Sequence, residues 1–291
     1  MRKVWLFAVL VLLLFMLAAC GGGEEGTEES SSDTGTDTEE TAGTEESEEE
    51  TNENTNSEES ATEDGERPTY SVATDNNYVP FEFIDQETDE LVGFDIDLIN
   101  AIAEEAGFDI EIEQMEFSGI VSAIPSGRFD IGIAGMTITE ERKENIDFSQ
   151  PYYDAGLILA VLEGSEEEIS SIDDVDGKTV ATRVGSTSEA YLEENTDANI
   201  EAFPEITEAY QSVLTGRADA VLYDKPNVEY YAETEGGGEL VTVGDLLQGE
   251  QYGIAFPKGS ELRDEVDEAM DNLKESGEFD EIYNKWFGGS E

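Results

Sequence analysis

The run Gly135-Met136-Thr137-Ile138-Thr139-Glu140-Glu141-Arg142 brings together a glycine turn, a hydroxyl, helix-starting residues and one cation. In a chain with 72 acidic and 14 basic residues, an arginine among such anchors points to an anion. Guanidinium is a rigid fork of donors that matches a carboxylate, and backbone N–H groups at a helix start add donors to the same place. A small-molecule carboxylate fits. The competing reading is an arginine that merely pairs with neighbouring glutamates. Asp224, ahead of Lys225-Pro226, fits a helix N-cap. The chain has no histidine, which removes the commonest general base and the commonest metal ligand at neutral pH. With the single cysteine Cys20, disulfides and structural zinc go as well. No cofactor, metal or catalytic residue is expected.

These residues need a frame, and the sequence pattern supplies one. Short apolar strands alternate with amphipathic helices, as in an α/β protein whose helices cover its sheets. Strands are expected at 70–74, 110–115 and 131–134, with helices at 94–106 and 118–126. The order then repeats. Strands at 179–182, 200–203 and 220–223 alternate with a helix ending near Asn195, one at 206–215 and one from Pro226. A strand at 253–256 and helices at 261–276 and 279–286 close the chain. Two sets of such units imply two similar lobes with binding turns at strand ends.

Ahead of this frame lie two segments of different character. Residues 1–19 carry Arg2-Lys3, then an uncharged apolar run, which is the layout of a secretory signal peptide. Leu17-Ala18-Ala19-Cys20 resembles the lipobox of bacterial lipoproteins, which implies cleavage before Cys20 and a lipid on its sulfur. Residues 21–66 hold 19 acidic residues, no lysine or arginine and no aromatic. Such a segment cannot bury enough apolar surface to offset its ordering entropy, so 20–68 is expected to be a disordered acidic tether. As a flexible coil it spans about 40 Å. The remaining 225 residues still carry 53 acidic against 12 basic groups. That excess excludes nucleic acid as a partner and suggests a halophilic or salt-tolerant source.

The folded part resembles the family 3 solute-binding proteins of ABC amino-acid importers, most closely the bacterial glutamine-binding members. The resemblance runs over nearly all of 69–289. It is carried by Gly93-Phe94-Asp95-Ile96-Asp97-Leu98, Val72-Ala73-Thr74-Asp75, Val79-Pro80-Phe81-Glu82-Phe83, Phe117-Ser118-Gly119-Ile120, the Gly135 to Arg142 run, and Asp147-Phe148-Ser149. Further on it is carried by Ala218-Asp219-Ala220-Val221-Leu222, Asp224, Pro226-Asn227, Gln251-Tyr252-Gly253-Ile254-Ala255-Phe256 and Lys285-Trp286-Phe287-Gly288. The family implies a type II two-lobe clamp, each lobe a mainly parallel sheet flanked by helices, with a two-strand hinge. Lobe 1 is expected at 69–151 plus 253–289 and lobe 2 at 157–247, with hinges near 152–156 and 248–252.

The resemblance also assigns ligand roles. Arg142 and the Thr137 N–H take an amino acid's carboxylate. Asp224, the Gly135 carbonyl and the Thr137 hydroxyl take its ammonium. Tyr78 and Phe117 sandwich its methylenes. Asp75 and Arg183 face a side chain that both donates and accepts, and Thr187 supplies a backbone N–H. Tyr223 and Ser186-Thr187 depart from the glutamine-binding pattern. The implied function is capture of a polar amino acid, L-glutamine first, by a monomeric lipoprotein that delivers it to an ABC permease outside the cytoplasm of a Gram-positive bacterium. The alternatives are another amino acid (glutamate, asparagine or a basic one) and, from another class, an enzyme resembling cyclohexadienyl dehydratase. A sensor ectodomain is expected to carry a transmembrane exit, and no apolar segment follows the lobes up to Glu291.

Overall fold

The computed structural model describes residues 67–234 and 236–288, which fall in one compact unit, Ala61–Glu291. The signal peptide, Cys20 and the acidic tether up to residue 66 lie outside the described residues. No helix among those described is long and apolar enough to cross a membrane.

The first half runs β1 (Thr69–Thr74), β2 (Asn77–Tyr78), β3 (Glu82–Ile84), β4 (Leu91–Val92), α1 (Phe94–Ala106), β5 (Asp109–Gln114), α2 (Phe117–Ala123), β6 (Ile131–Gly132), α3 (Glu140–Asn145) and β7 (Ile146–Phe148). The long strand β8 (Tyr153–Leu162) leads out of it. Then come β9 (Thr179–Arg183), α4 (Thr187–Asn195), β10 (Asn199–Phe203), α5 (Ile206–Leu214), β11 (Ala220–Asp224), α6 (Lys225–Glu233) and β12 (Leu240–Val243). Strands β13 (Gly249–Tyr252) and β14 (Ala255–Pro257) return to the first half, where α7 (Leu262–Ser276) and α8 (Glu278–Phe287) finish the chain.

Two main sheets result, ordered β5-β1-β6-β14-β7 and β10-β9-β11-β8-β12, with β13 also pairing β8, beside a small three-stranded sheet β2-β3-β4. Position by position the two main sheets follow one plan. In each, four of the five strands share a direction and one runs against them, β14 in the first sheet and β8 in the second. The fold is therefore a mixed α/β two-lobe clamp with mainly parallel sheets. The reversed strands are those by which the chain leaves one lobe and re-enters the other. The far end of β8 joins the second sheet, while its start pairs with β13 from Tyr153 opposite Tyr252 to Gly156 opposite Gly249.

Helix α1 shows how local sequence makes the frame. Phe94, Leu98, Ile99 and Ile102 are fully buried on one face, and Gly107 ends the helix in the left-handed conformation. Gly93 starts it at φ 139°, where a Cβ would lie 2.0 Å from the Phe81 carbonyl oxygen, so only glycine lets the helix approach that strand. Around the crossing, Phe81, Phe94, Tyr153 and Phe287 pack ring against ring, Tyr153 stacking on Tyr252 at 5.7 Å. These rings anchor both connecting strands to the first lobe.

Candidate functional site

The site lies where strand ends of the two lobes face each other. After β6 the chain turns at Gly135, whose φ is 51° and where a Cβ would sit 2.3 Å from Cε1 of Tyr78. A glycine is required there for both reasons. The Gly135 N–H donates to Asp95 Oδ2 at 2.9 Å, which ties the turn to the start of α1. Thr137 then bridges to Tyr252 through the N–H groups of Ile138 and Gly253, and this leaves Thr137's own N–H outside the pairing. Thr139 caps α3 by accepting from the Arg142 N–H, which sets Arg142 in the first turn. From the second lobe, Ser186 caps α4 with Thr187 as its first residue, and β11 ends at Asp224.

Phe117, Gly135, Thr137, Arg142, Thr187 and Asp224 line one small pocket together with Ala134, Ser186 and Tyr223. About 10 Å³ is free among them, the lower limit for a single water. The lobes are thus closed on each other. Outside the pocket, Arg142, Gly185, Thr187 and Gln248 line a vestibule of about 470 Å³. The Arg142 guanidinium stands between the two spaces. It donates to Thr137 O at 2.8 Å and across the cleft to Gly185 O at 3.1 Å, and lies 5.4 Å over the Phe117 ring. Among the described residues it makes no ion pair, although burial works to lower its pKa. The pairing with neighbouring glutamates does not form.

Asp224 stands at the N-cap of α6, but its side chain makes no capping bond. It accepts instead from Tyr78 Oη at 3.0 Å, across the cleft, and from Tyr252 Oη. Burial raises its pKa, opposed by those two hydroxyls and by Arg142. A carboxylate aimed into the cleft is suited to an ammonium.

Asp75, Tyr78 and Arg183 are brought to the same region but stand behind the pocket wall. The Tyr78 ring stacks on Phe81 at 5.0 Å rather than facing the pocket. Asp75 and Arg183, each 1 % exposed, form an ion pair across the cleft. Asp75 Oδ1 also accepts from the Asn76 N–H at 2.8 Å and from Asn77 Nδ2 at 3.3 Å. The Arg183 Nε donates to Pro204 O at 3.0 Å. The two groups expected to face a ligand's side chain meet as an ion pair here, although Asp75 Oδ2 and Arg183 Nη2 make no hydrogen bond.

Four residues escaped the sequence reading. Tyr252, on the returning strand, supplies a hydroxyl to Asp224. Glu250, two residues earlier on the same strand face, is buried and accepts from the Thr137 hydroxyl at 3.2 Å. Burial and the nearby Asp224 push its carboxyl up to about 7. Glu82 and Asp95 form a buried carboxyl pair. Neither Glu82 oxygen meets a donor, and burial with Asp95 and Asp75 nearby holds its pKa well above the usual range, while burial raises Asp95 to about 6. Alternation on β13 was the one available signal for Glu250; the other two contacts depend on distant strands.

Residues 70–289 match the model of the bacterial extracellular solute-binding proteins, family 3, and the chain belongs to that family. It is 32 % identical over 235 residues to the arginine-binding extracellular protein ArtP of Bacillus subtilis, covering 79 % of this chain and 90 % of that protein. Among solved structures it is similar to an ancestral arginine-binding protein bound to arginine, at 41 % identity and a TM-score of 0.72, covering 76 % of this chain and 99 % of that one. An ancestral arginine-binding protein bound to glutamine is matched at the same identity and TM-score, over 77 % of this chain and 100 % of that one.

Proposed function

We propose that this protein captures a polar L-α-amino acid outside the cytoplasm and delivers it to an ABC permease, with L-glutamine its preferred ligand. The reading is carried by Arg142, a guanidinium on an aromatic ring at the mouth of an interlobe pocket, with no carboxylate partner among the described residues. A ligand's carboxylate takes the place of the Gly185 carbonyl on Arg142, with the Thr137 N–H beside it. Its ammonium meets Asp224, the Gly135 carbonyl and the Thr137 hydroxyl, so each buried charge gains a partner. The structures of ancestral arginine-binding proteins in complex with arginine and with glutamine support a site of this class. Asp75 and Arg183 at the far end favour glutamine, whose carboxamide both donates and accepts. Thr187 and Phe117 narrow the space around its methylenes.

In this reading lobe 1 comprises 69–151 with 253–289, lobe 2 comprises 157–247, and 152–156 with 248–252 act as hinges. Ligand groups shared between Arg142 and Asp224 shift the population towards closure. Cys20 is the lipidated first residue of the mature chain, and the acidic segment after it is a spacer. The protein acts as a carrier, so a turnover assay with cyclic carboxylates is expected to be silent. Calorimetry of the full chain against the twenty amino acids tests the assignment. Glutamine is expected to bind most tightly, and glutamate or arginine binding about tenfold tighter overturns it.

A further inference from the structure

Strand β13 returns from one lobe to the other with Glu250 and Tyr252 on its buried face and Gly249 and Gln251 on the exposed one. Both buried side chains stand behind groups that the proposed function gives to a ligand's ammonium. Tyr252 donates to Asp224, and Glu250 Oε2 accepts from the Thr137 hydroxyl at 3.2 Å. Thr137 and Asp224 line the pocket, while Glu250 lies outside its lining. The other Glu250 oxygen accepts only a long contact, from Gln248 Nε2 at 3.4 Å, and among the described residues the carboxylate is in no ion pair. A buried charge without a cation of its own is costly to hold.

Thr137 has one hydroxyl proton, and its direction decides what the oxygen offers. With the proton on Glu250, the lone pairs are left for an ammonium; with the proton turned into the pocket, a donor meets a donor. We infer that Glu250 is a positioning residue for the ligand's ammonium: its carboxylate holds the Thr137 hydroxyl as a donor and so leaves the hydroxyl oxygen to accept from the ligand. The inference rests on the amino-acid reading of the pocket and adds the residue that sets the polarity of its amine end. An ionised carboxylate can only accept, which fixes that direction, whereas a protonated one can donate to Thr137 and free the hydroxyl to turn. Two charged neighbours act on Glu250, Asp224 at the end of β11 and Arg142 on α3, and the Thr187 hydroxyl of the second lobe favours its ionised form. Asp154, on the adjoining β8, is engaged by Gln251 on the exposed face. Asp224 outweighs Arg142 and, with burial, pushes the Glu250 carboxyl up to about 7. A ligand's ammonium on Asp224 offsets the larger of these two influences and draws Glu250 back towards ionisation, so binding near pH 7 releases a proton and affinity rises with pH.

Calorimetry of glutamine binding to the full chain tests this. Affinity is expected to rise by up to about tenfold between pH 5.5 and 8. Heats measured at pH 7 in buffers of different ionisation enthalpy should show proton release on binding. In Glu250→Gln the rise and the release should both vanish, because the amide does not titrate. Thr137→Val removes the hydroxyl through which Glu250 acts, so at pH 8 Glu250→Gln added to it should cost little more, whereas independent residues add their losses. Thr137→Ser keeps the hydroxyl and should keep the wild-type profile. A purely structural role for Glu250 lowers affinity equally at every pH, so a Glu250→Gln protein that retains the full rise overturns the inference. A wild type that exchanges no proton on binding at pH 7 overturns it too, without reliance on any variant's folding. Failure of the underlying reading has a different signature, namely amino-acid binding that survives Arg142→Ala.

Discussion

The two ends of the interlobe cleft carry the same kinds of charge in opposite states. At one end the first lobe offers Arg142 and the second Asp224; at the other the first lobe offers Asp75 and the second Arg183. Asp75 and Arg183 meet and are buried as a pair. Arg142 and Asp224 do not meet within ion-pair distance, and each turns instead to neutral groups, backbone carbonyls for the arginine and tyrosine hydroxyls for the aspartate. Weak neutral partners are easily exchanged for a ligand's carboxylate and ammonium, whereas a buried ion pair is costly to break. In the proposed reading, the open end takes what every α-amino acid shares and the paired end faces what distinguishes one from another.

The comparison breaks most sharply through deletions at each end. Asp75→Ala leaves Arg183 as a buried unpaired cation and should cost the closed form about 3–5 kcal/mol. Because the pair spans the cleft, the loss should appear as opening, a larger scattering radius without ligand. Arg142→Ala at the other end should leave that radius unchanged and weaken all amino acids by about 2–5 kcal/mol, a loss read by calorimetry. If both variants open the unliganded protein equally, the two ends do not differ as described.

Glu250 sharpens the contrast by pH. Its carboxyl is raised from 4.5 to about 7 in the folded protein, so the folded state binds an extra proton between those values. The resulting contribution to stability is complete below about pH 4.5 and is lost as pH rises through 7. Glu250→Gln should therefore change the melting temperature little at pH 5 and raise it at pH 8. A melting curve whose pH slope is the same in both proteins assigns the slope elsewhere. The smallest effect is expected from Tyr252→Phe, which removes one hydroxyl from Asp224 and should weaken ligand binding by about 1 kcal/mol.

Much of the frame was legible along the chain. The repeat of Phe94, Leu98 and Ile102 marks α1, and the apolar runs at Val72, Ile131, Val180 and Val221 mark the parallel strands, because each unit is local in sequence and its period reports its own burial. The ends differ by one to three residues, as at β14, which begins at Ala255 rather than Gly253, and α2, which stops at Ala123 rather than Ser126. The short strands β2, β3 and β4, and strands β7, β8 and β12, were not anticipated. The last three run antiparallel to neighbours far away in sequence, and β8 serves both the crossing and the second sheet, so no local period isolates it.

The chemistry divides along the same line. Residue types and their order determined that Arg142 would stand at the start of a helix beside a glycine turn, that no histidine and no disulfide within the chain was on offer, and that Asp224 would close a strand before Pro226. Only the tertiary structure decided which charges meet. The choice between N-cap and cleft for Asp224 and the union of Asp75 with Arg183 depend on elements about a hundred or more residues apart, and the meeting of Glu82 with Asp95 on how β3 packs on α1. A buried charge must take whatever partner the packing brings within reach, and that distance is not written in the order of the residues.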